Sequence, residues 1–359
     1  QYGAGSSSQP QNFFVFNDLL YFKATDGNGY KFWKYDAVNA PVVDTNINNS
    51  SFGFIEMNNI LYYSSNDGIN GLELWQYDGT TASMVYDINP GTANGYPFGL
   101  TVFNNKLIFR ANDGINGNEL WQYDGTNNPS IIADIYTGTT GSNPNGFKEF
   151  DGNLYFQAYG DTIVGTELWK YDGTNAPSLA EDVSPGFTNN FPNSSSPSQL
   201  QVVNDKLLFT AYEPGGDKQL WEYDGTNPAT KITNYNPASN SYQFASMISI
   251  DDVLYFWADE GAGLQIIDIS TPATPTLIGT YDTPHFAIKV TISSDGNTAY
   301  VADGNTGLQI INISTPATPT LIGSYDTLDS ARGVAISSDG NTAYVADGNT
   351  GLQIINIST

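Results

Sequence analysis

One phrase recurs along this chain. It reads LELWQYDGT at residues 72–80, NELWQYDGT at 118–126, TELWKYDGT at 166–174 and QLWEYDGT at 219–226, with a degenerate KFWKYDA from Lys31. Trp33, Trp75, Trp121, Trp169 and Trp221 therefore return every 42 to 52 residues. A period of that size, filled with short strand-like runs, calls for stacked or radially arrayed β units, because one such unit cannot bury its own faces.

Apolar residues alternate or cluster in short runs between Gly, Asn, Asp and Pro, and almost nothing shows a helical period. The second unit divides into strand A over 51–57, strand B over 60–65, strand C over 72–77 and strand D over 82–88. Asn58-Asn59 joins A to B, and Asn17-Asp18, Asn104-Asn105 and Asp151-Gly152 stand at the same place in other units. These residue types tolerate the positive φ that a two-residue hairpin needs. The Asp-Gly pairs from Asp78, Asp124, Asp172 and Asp224 are expected to do the same between C and D. Four antiparallel strands per unit is the pattern of a propeller blade. Both faces of a blade pack on neighbours, so Leu74 is expected to face one and Trp75 and Tyr77 the other.

Near residue 260 the pattern changes. Residues 292–315 and 336–359 are identical, ISSDGNTAYVADGNTGLQIINIST, and LQII recurs from Leu264, Leu308 and Leu352, 44 residues apart. The unit over 244–281 is a hybrid, with a front half like the Trp repeats and a back half of the LQII type. The expectation is one all-β propeller over 1–359, most simply of eight blades of four antiparallel strands. Blades start near 12, 51, 98, 146, 199, 244 and 286, and an eighth near Arg332 stops after strand C. An unpaired strand edge invites a partner. Residues 1–10 are expected to close the last blade as an N-terminal strand, or to serve as an inter-subunit arm; continuation past Thr359 is the third alternative.

The ELWxYDGT phrases, over residues 12–243, resemble the ELWxxDGT repeats of bacterial secreted proteins. The LQIIDISTPATPTLIGTYDT phrases, over 260–359, resemble LVIVD repeats of bacterial and archaeal surface proteins, so that 282–359 reads as LVIVD-type blades. Both families are understood as propeller blades. The resemblance implies an exported or surface-displayed scaffold and no particular reaction, since propellers host many unrelated functions.

Charge narrows the partners. Asp and Glu number 37 against 12 Lys and Arg, a formal charge of -25, and the only arginines are Arg110 and Arg332. Nucleic-acid binding draws on clustered cations, so neither nucleic acid nor an anionic membrane surface is an expected partner. There is no cysteine, and no apolar run approaches the ~18 residues of a membrane helix. The composition, rich in Asn, Thr, Ser, Gly and Tyr, points to an extracellular or cell-surface protein exported with its signal removed. The expected function is a non-catalytic scaffold, structural or adhesive, that forms a homo-oligomer or polymer or assembles with a surface protein or glycan. The alternatives are a glycan- or calcium-binding module on the side of the B–C and D–A loops, and an extracellular hydrolase.

Two sets of residues are candidates for a site. The B–C loops NDGINGLE (66–73) and NDGINGNE (112–119) place side-chain oxygens every third residue: Asp67, Asn70 and Glu73, then Asp113, Asn116 and Glu119. Calcium takes six to eight such oxygens. The plainer reading is that Asp-Gly and Asn-Gly build turns and Glu begins an exposed strand end. Lys31 and Gln219 stand at the Glu position in the first and fifth units. The long D–A loops carry Tyr96, Phe98, Phe187, Phe191, Tyr235 and Tyr242, suited to sugar stacking or protein contact, or to plugging the blade tops. No catalytic set emerges: the lone His285 lacks partners for a triad, two arginines fall short of a sialidase site, no P-loop or HExxH pattern occurs, and no carboxylate pair stands outside the repeats.

Overall fold

The computed structural model describes residues 11–358 apart from 37, 204, 215, 217, 234–243, 251, 259–262, 272–275 and 338. The closing strand expected of residues 1–10 lies outside the described residues. Eight successive sheets follow one another, each an antiparallel meander with its strands, A onward, in chain order. The fold is an all-β, eight-bladed β-propeller. Its strand A segments are Gln11–Phe16, Phe52–Met57, Phe98–Phe103, Asn145–Phe150, Ser198–Val203, Phe244–Ile250, Lys289–Ile292 and Ala331–Ile336. Among the described residues seven of these sheets have four strands and the last has three, ending at Gly351–Asn356. By internal contacts the described residues group into two compact units, one within 11–216 and 223–229 and the other within 218–222 and 230–358.

In the first unit the expected A–B turns form. Asn17 and Asp18, Asn58 and Asn59, and Asn104 and Asn105 all take φ between 49° and 60°. Two successive positive values define the hairpin turn whose twist matches its strands. The Asp-Gly pairs do not repeat this device, which corrects the expectation. Only the glycine is left-handed, at +99° for Gly79 and +88° for Gly125. The aspartate instead caps its own loop: Asp124 Oδ1 accepts the N–H groups of Thr126 and Asn127, each at 2.8 Å, and Oδ2 accepts Asn127 Nδ2 at 2.7 Å. Asp172 and Asp224 do the same. The donated bonds, the Asn side chain's first, hold all three carboxyls well below the usual range.

Strand C joins the blades as its pattern demands. Leu74 is fully buried among Met57, Tyr62, Leu107 and Phe109, toward the third blade. Tyr77 and Trp75 point the other way, against Phe16, Tyr21 and Phe32 of the first. The tyrosine is a repeated wedge: Tyr77–Tyr21, Tyr123–Tyr62, Tyr171–Phe103 and Tyr223–Tyr155 bring ring centroids within 5.7 to 6.4 Å. Such aromatic pairs add about 0.5–1.5 kcal/mol each beyond their buried area. Strand D of the second blade is Ala82–Tyr86, shorter than the expected 82–88. Ile88 leaves the ladder because a carboxylate takes its N–H, as follows.

In the second unit the duplicated segments make the same hairpin twice. Thr298–Ala302 pairs with Leu308–Asn312, and Thr342–Asp347 with Gly351–Asn356. Leu264, Ile266, Val290, Val301 and Ile311 form the core between the sixth and seventh blades.

Candidate functional site

The acidic residue of each ELW phrase is buried, not exposed as its strand-end position suggests. Glu73, Glu119 and Glu167 have no accessible surface. Glu73 Oε2 accepts Ile88 N–H at 2.9 Å and Oε1 accepts Gly95 N–H at 2.6 Å. Glu119 accepts the N–H groups of Ile135, Tyr136 and Ser142 and the Ser142 hydroxyl. Glu167 accepts Val183 N–H, Ser195 N–H and the Ser195 hydroxyl. In each case one carboxylate fastens both ends of the following D–A loop to strand C. Burial pushes Glu73 and Glu167 up to about 7, the donated bonds pulling back against it. Glu119 is raised by the same cause. In the fifth blade Gln219 keeps the anchor as a neutral acceptor for the Thr233 hydroxyl, at 2.9 Å.

A glycine makes the latch fit. A Cβ on Gly71 would lie 1.9 Å from Ala93 O, on Gly117 2.5 Å from Gly141 N, and on Gly165 2.0 Å from Asn193 O. The loop backbone passes directly over each glycine. The LQII blades anchor the loop with an acid at the end of strand B instead. Asp303, fully buried, accepts the Thr283 hydroxyl at 2.7 Å, His285 N–H at 3.1 Å and the Thr306 hydroxyl. Asp347 accepts Asp329 N–H and the Thr350 hydroxyl.

The calcium candidates therefore divide. Asp67 and Asn70 are brought together, but by bonding each other: Asp67 Oδ1 accepts Ile69 and Asn70 N–H and Oδ2 accepts Asn70 Nδ2 at 2.7 Å. Asp113 and Asn116 repeat this. These bonds, from the Asn70 backbone first, lower the Asp67 pKa. At Asp113 burial raises it but the bonds outweigh burial. Glu73 and Glu119 turn away from these loops to face the latch. Among the described residues no group of three or more His, Cys, Asp or Glu side chains is placed to hold a metal ion.

The aromatic candidates are outward. Tyr96 is 50% exposed, Phe98 42%, Phe187 55% and Phe191 74%. Phe187 and Phe191 sit on a small hairpin, Phe187–Thr188 with Phe191–Pro192, inside the long D–A loop. Asn189 and Asn190, both left-handed, form its turn. Tyr235 and Tyr242 lie outside the described residues. The sequence reading passed over Ile69, Ile115 and Ile163, which crown three successive B–C loops and are 65% to 71% exposed. The signal for Ile69 and Ile115 is an apolar residue placed between Gly and Asn; Ile163, between Thr162 and Val164, shares only the loop position. On the opposite loop side, a cleft of about 650 Å³ is lined by Lys148, Glu149, Phe150, Asp151, Val202, Asp205 and Asp224. Lys206 pairs with Asp224 beside it, at 3.7 Å.

Residues 248–283, 289–327 and 330–359 match the LVIVD repeat model. The last three blades are LVIVD repeats. No curated protein sequence matches the chain. Among solved structures, Saccharomyces cerevisiae Sqt1 is similar, with a TM-score of 0.56 at 9% identity over 99% of this chain and 96% of that one. A prolyl endopeptidase gives 0.54 at 11% identity over 95% of this chain, which spans 55% of the endopeptidase chain. At such identities the likeness concerns the fold.

Proposed function

We propose that this chain is an exported, non-catalytic scaffold, structural or adhesive, that associates with further copies of itself through the side bearing its B–C and D–A loops. Its ELWxYDGT blades are read as ELWxxDGT repeats of secreted proteins, beside the LVIVD blades. The observation that carries the proposal is the row of Ile69, Ile115 and Ile163 at the tips of three consecutive loops. Leaving three such side chains in water is costly, at roughly 1.5–3 kcal/mol each relative to burial, and loops on a rigid frame are where binding resides. The latch glutamates Glu73, Glu119 and Glu167 support the same reading, because each is engaged in holding a loop.

The high negative charge opposes association at low salt, since like-charged copies repel until screened. Sedimentation velocity of the wild type and of an Ile69→Ser, Ile115→Ser, Ile163→Ser variant, at low and at half-molar salt, tests the proposal. Wild-type oligomers favoured by salt, absent in a variant of unchanged melting temperature, are the expected result. A wild type that stays monomeric at every concentration and salt level rejects it. The hydrolase alternative gains nothing from the endopeptidase likeness. The calcium alternative gains nothing from loops whose oxygens are already bonded.

A further inference from the structure

Arg110 is anomalous in this protein. The chain holds 37 carboxylates, yet Arg110 forms no ion pair among the described residues, and its Nε is buried without a hydrogen-bond partner. Burial alone lowers its pKa. An unpaired, partly desolvated cation is costly to keep unless something else meets it. The repeat supplies an internal comparison. Arg110 pairs across the sheet with Phe98, where other blades pair Ser64 with Phe52, Gln157 with Asn145, and Thr210 with Ser198. Ser64 and Thr210 are satisfied locally, Ser64 by Pro97 O at 2.5 Å and Thr210 by Ser198 at 3.0 Å. The first blade has a cation here too, Lys23 opposite Gln11 with its ammonium over the Phe32 ring. Ser64 and Thr210 nonetheless show that a short neutral side chain serves the fold at this position, so the fold does not ask for an arginine.

Two neighbours point the same way. The Arg110 guanidinium lies over the Phe98 ring, 4.8 Å from its centroid, a stacking that fixes the plane of its donor fork. The backbone at Tyr96 is tied to the end of the Arg110 strand, because Gly95 O accepts the N–H of Asn112 at 2.7 Å. Tyr96 is left-handed at φ 49°, where the equivalent residues are Asn143 and Ser196. Asn is at home there, whereas a bulky aromatic is an outlier, and strain of that kind gathers at binding sites. Asn94 Nδ2 donates to the Tyr96 hydroxyl oxygen at 3.0 Å, which leaves the hydroxyl proton free to donate.

We propose that Arg110, Phe98 and Tyr96 form a binding site for a small ring-shaped ligand carrying one carboxylate, an acidic monosaccharide being the chemistry that matches. The guanidinium donates two parallel N–H bonds to the carboxylate, and the exposed aromatic rings cover the faces of the sugar. The net charge of -25 turns away polyanions, and a ligand with a single negative charge meets the least of that repulsion. The site does not involve the isoleucine row, so it stands or falls apart from self-association.

Saturation-transfer NMR and calorimetry with D-galacturonate, against neutral D-galactose, test the site. Galacturonate is expected to bind and galactose not. Arg110→Gln and Phe98→Ala should each weaken binding about 10- to 100-fold, the scale of a charge-assisted hydrogen bond. The Arg110→Gln melting temperature should be unchanged or higher, since an unpaired cation is removed. The Ile115→Ser variant should bind like the wild type. The proposal is overturned by absence of galacturonate binding, by equal binding of galactose, or by an Arg110→Gln variant that binds as well as the wild type.

Discussion

Glu167 has no accessible surface, and two backbone N–H groups and a serine hydroxyl end on it. Glu167→Ala strands those donors and should cost about 2–4 kcal/mol, whereas Glu167→Gln keeps an acceptor and should cost about 1 kcal/mol. Chemical denaturation measures both. The same group sets a pH dependence. Its folded pKa of about 7 stands above the ordinary 4.5, so the fold holds the proton more tightly than the unfolded chain does. The stability this contributes is complete below pH 4.5 and is lost as pH rises through 7. Glu73 adds in the same direction. Between pH 4.5 and 7 the melting temperature should therefore fall in the wild type and fall less in a Glu73→Gln, Glu167→Gln variant. An equal slope in both would remove the latch as its source. The latch was not legible in the sequence. A glutamate opening a strand beside a polar loop has the local pattern of an exposed end, and only the returning D–A loop, 15 to 28 residues away along the chain, buries it.

At the scale of the strand and turn, local chemistry decided most of the outcome. Asn58-Asn59 announces its turn because few other pairs accept two left-handed residues in succession. The Asp-Gly pairs misled for a related reason. Aspartate also caps through its side chain, and with Thr and Asn two and three residues on, the capped loop replaces the tight turn. The glycines of the B–C loops look like turn residues, yet their tertiary role is larger. Gly117→Ala would both force an L-residue to φ +71° and drive a methyl group into the backbone at Gly141. It should cost about 2–4 kcal/mol. Gly68→Ala, also left-handed but with open space around it, should cost only about 1 kcal/mol. Comparable losses in the two variants, by the same denaturation experiment, would show that backbone conformation alone matters.

For the molecule as a whole, charge and repetition act together. An excess of 25 negative charges repels itself across a fold of this size. Raising sodium chloride from low levels to about 0.5 M, where the Debye length falls to a few ångströms, should raise the melting temperature. A fall would mean that the few ion pairs, such as Lys34–Asp44 at 3.2 Å, outweigh the general repulsion. Repetition lets one design carry two kinds of repeat, since Glu73 on strand C holds the D–A loop that follows its blade and Asp303 at the end of strand B holds the D–A loop that precedes its own.

The sequence alone determined the number of blades, the order of their strands and the facing of Leu74 and Tyr77. These follow from periodicity and from side-chain alternation, which are properties of the chain itself. Tertiary structure alone decided which acids are buried, which isoleucines stand in water and that Arg110 meets no carboxylate among the described residues. Burial and pairing depend on segments that meet only after folding, and identical local phrases acquire different surroundings there.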